Sequence, residues 1–521
     1  MDKAKNIILL ICISMATIII VSCSINISTD RELDKGNKGL GVHDESIVEP
    51  PISKPAEIDI LVEDIKKLTM DIAEEQEVIE PSQPIKRIET TPYEDSDLVW
   101  DIFLEGGQEF NKNLFDNLIF GDSYARIEGI LTFRGGITRD SPSYGTSNID
   151  EKQLERMWEF TTSTSSWGGG AGWTGQPSIV KWSPNIKQIM NLDDKYKADE
   201  DFIEAIYASL DGSIYFFDLI SGEKSRPPIK VGNPIKGSLS IDPRGWPLLY
   251  VGEGIPEKGS IGYNIYSLID GDKLYTINGK DPYAQRGWGA FDSSGIIHEE
   301  TDTLIVPGEN GILYIASLNT QFDIEEETIS IDPELTRYRY KVKGQSRLGI
   351  ESSVAIHRNL LFFADNTGWI QCVDLTTLTP VWLLDGYDDT DASLTLEVED
   401  GIPYIYSANE VDHQPIGGSS YIKKINGLTG EIIWESPYKC FSTKGDKPID
   451  GGAFATNVIG KRNIDHLVIF TLARYGKFNG GLMVALNKET GNEVWIREME
   501  NYAWSSPVDF YDKEGNAYII Q

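Results

Sequence analysis

Three carboxylates recur at one position of a repeated short segment. Asp292 opens DSSGII, Glu351 opens ESSVAI and Asp391 opens DASLTL. The equivalent position is Gly175 in GQPSIV, Gly237 in GSLSID, Gly452 in GAFATN and Trp504 in WSSPVD. If these segments are equivalent strands around an axis, the three acids converge at one channel mouth. Converging carboxylates repel, so they need a proton, an arginine or another cation. A hard cation such as calcium accepts several oxygens at once. Asp388 and Asp389 stand just before Asp391, Arg347 lies four residues before Glu351, and Trp173, Trp288 and Trp504 fall near the same rim. The expected site is therefore a cation or polar-ligand site with aromatic walls, drawn from Asp292, Glu351, Asp391, Asp388, Asp389, Arg347, Trp288 and Trp504. The competing reading is structural: these acids bond backbone amides of neighbouring repeats, or pair with Arg347 and Arg286.

The elements that must position these residues are themselves repeated. After Leu154 the chain returns about seven times to one pattern: apolar strand, tight turn, apolar strand, Thr-Gly-Glu turn, tryptophan. Clear copies are IYASLDGSIY at 206–215, LFFADNTGWIQCVD at 361–374, LTGEIIW at 428–434 and ETGNEVW at 489–495. Short strands and turns recurring every 40–60 residues, roughly, mark a β-propeller. Such a fold accommodates 521 residues because each blade packs only on its neighbours. Small residues dominate the aligned segments, as they must where strands crowd an axis. The seventh repeat is incomplete where the chain stops, at AYIIQ (517–521): either the ring is left with an open edge, a hazard, or the chain is truncated at its C-terminus, which is the expectation.

Several repeats carry a tryptophan on the outer strand: Trp158, Trp382, Trp434 and Trp495. A buried indole N–H needs an acceptor, and a turn of the adjacent repeat can supply one. Before the repeats, Leu131–Gly136 (LTFRGG) and Arg139-Asp140-Ser141-Pro142 stand out. Together these features resemble the PQQ-like β-propeller family, which includes quinoprotein alcohol dehydrogenases and a lipoprotein subunit of outer-membrane assembly. The resemblance covers about 133–521 and implies an all-β, PQQ-like propeller of seven to eight four-stranded blades. It implies that Arg134 and Arg139 pin the lead-in segment onto the propeller by hydrogen bonds to carbonyls. For a quinoprotein enzyme it would also require a calcium held by Glu and Asn, a catalytic Asp, a tryptophan floor and commonly adjacent cysteines. No adjacent cysteines occur, and no Glu, Asn and Asp stand at the family's spacing, so PQQ is not expected and the cofactor is left unassigned, with calcium the candidate.

The N-terminus reads as a targeting segment: Lys3 and Lys5, then an apolar run over 7–21. The run is short for a bilayer span but suits a signal peptide. It ends in Ile20-Val21-Ser22-Cys23, which resembles the lipobox of bacterial lipoproteins and implies cleavage before Cys23 and diacylglyceryl attachment to its sulfur. The expected organisation is a signal peptide (1–22), a lipid-anchored, flexible, disordered acidic tether (23–97), a lead-in segment packing on the propeller (98–153) and the propeller (154–521). The protein is expected on the extracytoplasmic face of a bacterial membrane. A net charge of −34 argues against nucleic acid, whose phosphates need Lys and Arg. Cys372 and Cys440 are expected as buried free thiols. The five histidines show no metal-ligand spacing, GGGAGWTG at 168–175 lacks the lysine of a P-loop, and no GxSxG elbow occurs. These features point to a membrane-anchored binding or scaffolding module, with envelope proteins or cell-wall glycan as partners. The alternative is an enzyme, a quinoprotein-type dehydrogenase or a glycan-active one, working at the acidic mouth.

Overall fold

The computed structural model describes residues 85–104, 110–111, 113–150, 153–172 and 175–521. The expected signal peptide, Cys23, most of the tether and Trp173 lie outside these residues.

Antiparallel sheets follow one another along the chain. Blade 1 comprises Ser178–Val180, Glu204–Ala208, Ser213–Asp218 and Ile229–Lys230; blade 2 comprises Ser240–Ile241, Leu248–Gly252, Gly262–Ser267 and Lys273–Asn278. Blade 3 comprises Ile296–His298, Thr303–Pro307, Ile312–Ser317 and Glu334–Val342; blade 4 comprises Ala355–His357, Leu360–Ala364, Trp369–Asp374 and Thr379–Asp385. Blade 5 comprises Thr395–Glu399, Ile402–Ala408, Ser419–Asn426 and Ile432–Lys439. Blade 6 comprises Val458–Ile459, Leu467–Ala473, Gly481–Asn487 and Glu493–Met499, and a seventh unit pairs Val508–Tyr511 with Ala517–Ile520. The protein is an all-β propeller, and the seven aligned segments each run into or adjoin the inner strand of one unit.

Burial follows from this stacking. A middle strand is covered on both faces by neighbouring blades, so it reads as a continuous apolar run rather than an alternation. Leu467–Ala473 (LVIFTLA) is buried throughout, whereas the outer strand Glu493–Met499 is mostly exposed. The apolar cores lie between successive blades. Ile206, Phe216, Leu249 and Val251 join blades 1 and 2; Phe362, Cys372, Leu396 and Ile405 join blades 4 and 5. Cys372 and Cys440 are buried free thiols, as expected.

The tryptophans lock blade to blade. The indole N–H of Trp382 donates to Gly427 O at 2.8 Å, that of Trp434 to Lys488 O at 2.8 Å, and that of Trp158 to Leu219 O at 3.2 Å. Each ring lies on the glycine of the neighbouring turn: Trp382 on Gly430, Trp434 on Gly491, Trp158 on Gly222. Those glycines have φ of +74°, +69° and +70°, and a Cβ at Gly491 would stand 2.6 Å from the Trp434 ring. The glycine of this turn, whether in Ser-Gly-Glu, Thr-Gly-Glu or Thr-Gly-Asn, is thus required twice, for its left-handed backbone and for the ring's approach. Gly491→Ala should therefore cost about 2–4 kcal/mol, read as a lower urea midpoint, whereas Gly417→Ala, with a positive φ but open space around it, should cost about 1 kcal/mol.

Along the axis, hydroxyls stitch the inner strands together. The amide of Gln176 donates to Ser238 Oγ (2.8 Å), Ser294 to Ser353 Oγ (2.9 Å) and Ser353 to Ser393 Oγ (2.9 Å). Ser393 donates to Thr456 Oγ1 (3.0 Å) and Thr456 to Ser506 Oγ (3.0 Å). The lead-in segment plugs this ring. Arg134 Nη1 donates to Pro507 O of the seventh unit at 2.9 Å, and its backbone amide donates to Gln176 Oε1 of the first at 3.0 Å. Arg139 spreads its guanidinium over Val354 O (2.8 Å), Phe133 O (2.9 Å) and Ser294 O (3.2 Å). Both arginines are fully buried. The pinning by carbonyls matches the expectation, but the two side chains cross the centre of the propeller.

The segment before residue 98 is also docked. Arg87 and Thr90 bind Asp374 at 2.9 and 2.6 Å, and Asn359 brackets the Ile88 backbone. Leu98–Leu104 then adds a fifth strand to blade 3, pairing with Glu334–Val342. Contact with the propeller thus begins before residue 97, where the tether was expected to end.

Candidate functional site: an acidic mouth above the plugged axis

The segments leading into the inner strands of blades 3, 4 and 5 bring Asp292, Glu351 and Asp391 to one small, partly open cavity. Phe133 from the lead-in segment, Ser353, Ser393, Thr456 and Ser506 line it too, and Phe454 and Trp504 form the aromatic side. The two aromatic rings are 5.0 Å apart at 55°. Glycine at the preceding repeat lets blade 2 approach Asp292: a Cβ at Gly237 would lie 2.0 Å from Asp292 O.

Groups off the aligned position complete the mouth. Lys236 Nζ is ion-paired to Asp292 Oδ2 and lies 3.8 Å from Glu309 Oε1. Arg286 Nη1 is 3.9 Å from Glu351, and both contact Asn366. Glu410, buried, lies beside Asp389 and Asp391. Oxygens of Asp292, Glu309 and Glu351 can approach within 4.8 Å of one another. The carboxyls of Asp292, Glu309, Glu351, Asp389, Asp391 and Glu410 therefore face two cations, Lys236 and Arg286.

Burial first, and then the neighbouring negative charges, push Glu309, Asp389, Asp391 and Glu410 well above the ordinary carboxylate range. Burial also raises Asp292, against the Lys236 charge that lowers it. For Lys236 burial disfavours the ammonium, but Asp292, Glu309 and Glu351 outweigh it and keep the group protonated. Asp292 Oδ1 and Asp391 Oδ1 are buried without a hydrogen-bond partner. A carboxylate oxygen left so is costly, and a proton or a cation relieves it.

The other expected residues divide. Asp389 Oδ1 is also buried without a hydrogen bond, and Asp389 groups with Asp412 and His413. Asp388 is an anchor: its carboxylate accepts the amides of Asp412 (3.0 Å), His413 (2.8 Å) and Gln414 (3.1 Å). Despite burial, these bonds and the His413 side chain hold its pKa below the ordinary value. For Asp388 the structural reading is the correct one. Arg347 is exposed, and Arg286 takes the place beside Glu351 that the spacing suggested for it. Trp288, 36% exposed, does not line the cavity, whereas Trp504 does.

No family model and no curated protein matches the chain. Solved structures similar to it include a europium-containing methanol dehydrogenase, at 10% identity and TM-score 0.43, covering 66% of this chain and 78% of that one. BamB from Moraxella catarrhalis shows 12% identity and TM-score 0.39, covering 62% and 82%. The quinohemoprotein alcohol dehydrogenase from Comamonas testosteroni shows 10% identity and TM-score 0.44, covering 67% and 70%. These likenesses are too distant to carry an activity across.

Proposed function

We propose that this protein is an extracytoplasmic lipoprotein whose propeller is a binding module, and that its acidic mouth receives a positively charged group. One observation carries the reading: the carboxyls of Asp292, Glu351 and Asp391, from three successive blades, line one cavity. The enzyme reading has less support, because no adjacent cysteines occur and no Glu, Asn and Asp stand at the spacing of the quinoprotein family. The reading is tested with the full chain in detergent by thermal unfolding against calcium, magnesium and an alkylammonium salt. At least one should raise the melting temperature saturably, by RT ln(1 + [L]/Kd), and Asp292→Asn or Glu351→Gln should reduce the rise. No stabilisation by any of them would overturn it.

Membrane attachment rests on the VSC sequence at 21–23. A second acyl chain converts marginal binding into stable anchoring. Cys23→Ala should release the protein from washed membranes and abolish the mass increase of lipidation; unchanged attachment and mass would exclude it.

A further inference from the structure

We infer that Lys236 and Asp292 become joined by an amide bond between Nζ and Cγ, a covalent cross-link from blade 2 to blade 3, with Glu309 as the group that moves the protons. The inference needs no ligand and does not rest on the binding role proposed for the mouth.

The reacting groups are already together. Lys236 Nζ is in contact with Asp292 Oδ2, and the two side chains are 11% and 6% exposed. Glu309, buried, lies 3.8 Å from the same Nζ and hydrogen-bonds to Asp292. A hydrogen bond between two carboxyls needs a proton on one of them. Glu309 carries it, because burial and the charges of Glu351 and Asp292 push its pKa well above the ordinary value. An amine, a carboxyl carbon and a protonated acid thus share one enclosed place. Gly254 covers it: a Cβ there would lie 2.7 Å from both Asp292 Oδ1 and Lys236 Cε. Main-chain hydrogen bonds fix the approach. Gly254 N donates to Pro234 O (2.9 Å), Phe291 N to Glu253 O (3.0 Å) and Glu309 N to Ala290 O (3.0 Å), so the three segments that carry the reacting groups are tied in series.

The chemistry is a condensation. Lys236 rests as an ammonium, held so by Asp292, Glu309 and Glu351. It first passes a proton to the Asp292 carboxylate, giving a neutral amine and a neutral acid, which a buried pair holds without desolvating charge. Nζ then attacks Cγ, a second proton moves from Nζ through Glu309 to the departing oxygen, and the C–O bond breaks. Two hydrogens of the ammonium leave with one carboxylate oxygen as water. Nothing is oxidised or reduced, and Glu309 ends as it began. The small cavity that Asp292 lines receives the water. Fixed proximity and exclusion of bulk water supply what this condensation lacks in solution. Other buried lysines are paired in a different setting: Glu399 and Glu397, the partners of Lys424 and Lys488, are 43% and 25% exposed. The bond removes one charge of each sign and leaves Glu351 and Asp391 on the mouth.

Mass spectrometry of the full chain, purified in detergent and digested with trypsin, tests the bond. Trypsin does not cut at an acylated lysine, so 231–244 should be released joined to 287–337, lighter by one water than the two peptides together. Lys236→Arg keeps a cation beside Asp292 but should give 231–236, 237–244 and 287–337 separately. Asp292→Asn should still join them, losing ammonia in place of water, so the cation titration of the mouth is read through Glu351→Gln. Glu309→Gln, first shown folded by its own unfolding transition, should form the joined peptide on the order of 100-fold more slowly. Separate 231–236 and 287–337 from the folded wild-type chain would overturn the inference and leave the cation-binding reading standing. Joining in Glu309→Gln as fast as in wild type would remove the role given to Glu309. A joined peptide in a chain that binds no cation would support the bond and remove the binding reading.

Discussion

Arg139→Ala should cost about 3–5 kcal/mol of stability and be among the most damaging single changes in the propeller. The side chain touches three parts of the molecule at once: Ser294 O before blade 3, Val354 O before blade 4, and Thr132 Oγ1 and Phe133 O of the plug. Truncation strands buried carbonyls, each costing about 1–3 kcal/mol, and opens a cavity at the axis. Against this stands relief of a desolvated charge. Burial alone lowers the Arg139 pKa to about 10, so the guanidinium is charged at neutral pH without a buried carboxylate beside it, and its removal returns part of the loss. The net remains destabilising because one guanidinium satisfies several acceptors. Arg139→Lys should recover little, since a single ammonium cannot span carbonyls of two blades in the fork geometry. Urea unfolding checks this: a midpoint for Arg139→Lys near that of wild type would show that charge alone, and not the fork, holds the plug.

The architecture was legible because propeller blades are local. Each Thr-Gly-Glu turn and each outer tryptophan sits within its own repeat, and the partner is always the next repeat, so Trp382 on Gly430 and Trp434 on Gly491 follow from spacing. The small inner strands also made Asp292, Glu351 and Asp391 visible as one set. What stayed hidden lay off that register. Lys236 directly precedes Gly237, and the cation on Asp292 comes from the neighbouring blade's position just before the aligned one. Glu309 lies in the Gly-Glu-Asn-Gly turn, which reads as a hairpin, yet its side chain turns inward against Lys236. Glu410 enters from a connection between strands of blade 5, whose path no repeat fixes, and Phe454 lies inside the aligned GAFATN segment, where most repeats have a small residue. Asp388 looked like Asp389, but the amides of 412–414 fold back onto it, a contact set by loop geometry. The plug itself bore recognisable residues, although only the ring of inner strands shows how deeply Arg134 and Arg139 enter.

Stability should fall as pH rises from about 4 to 8, and Asp391→Asn should remove part of the fall. Glu309, Asp389, Asp391 and Glu410 have folded pKa values raised above those of the unfolded chain. The folded state then holds protons that the unfolded state releases, so the stability these groups contribute is full below about pH 4 and is lost as pH climbs through their folded values. Asp450, raised to about 6 by burial and its hydrogen bond with Asp412, loses its share between about pH 4 and pH 6. His413, raised chiefly by its hydrogen bond to Asp388, favours folding below its unfolded pKa of about 6.5 and stops doing so as pH passes its folded value. Groups such as Asp374 and Asp388, whose values are lowered, act in the other direction below about pH 4. The optimum should therefore be mildly acidic. At pH 8 the mouth carries its greatest repulsion, and Asp391→Asn removes one charge from the cluster. The variant should gain on the order of 2 kcal/mol at pH 8 and less as pH falls and the raised carboxyl takes up its proton. Urea midpoints from pH 4.5 to pH 8.5, without added divalent ions or amines, give the comparison. A wild-type stability that rises steadily over this range, or an Asp391→Asn variant destabilised equally at both ends, would mean that the acids are held as structural acceptors and not as repelling charges.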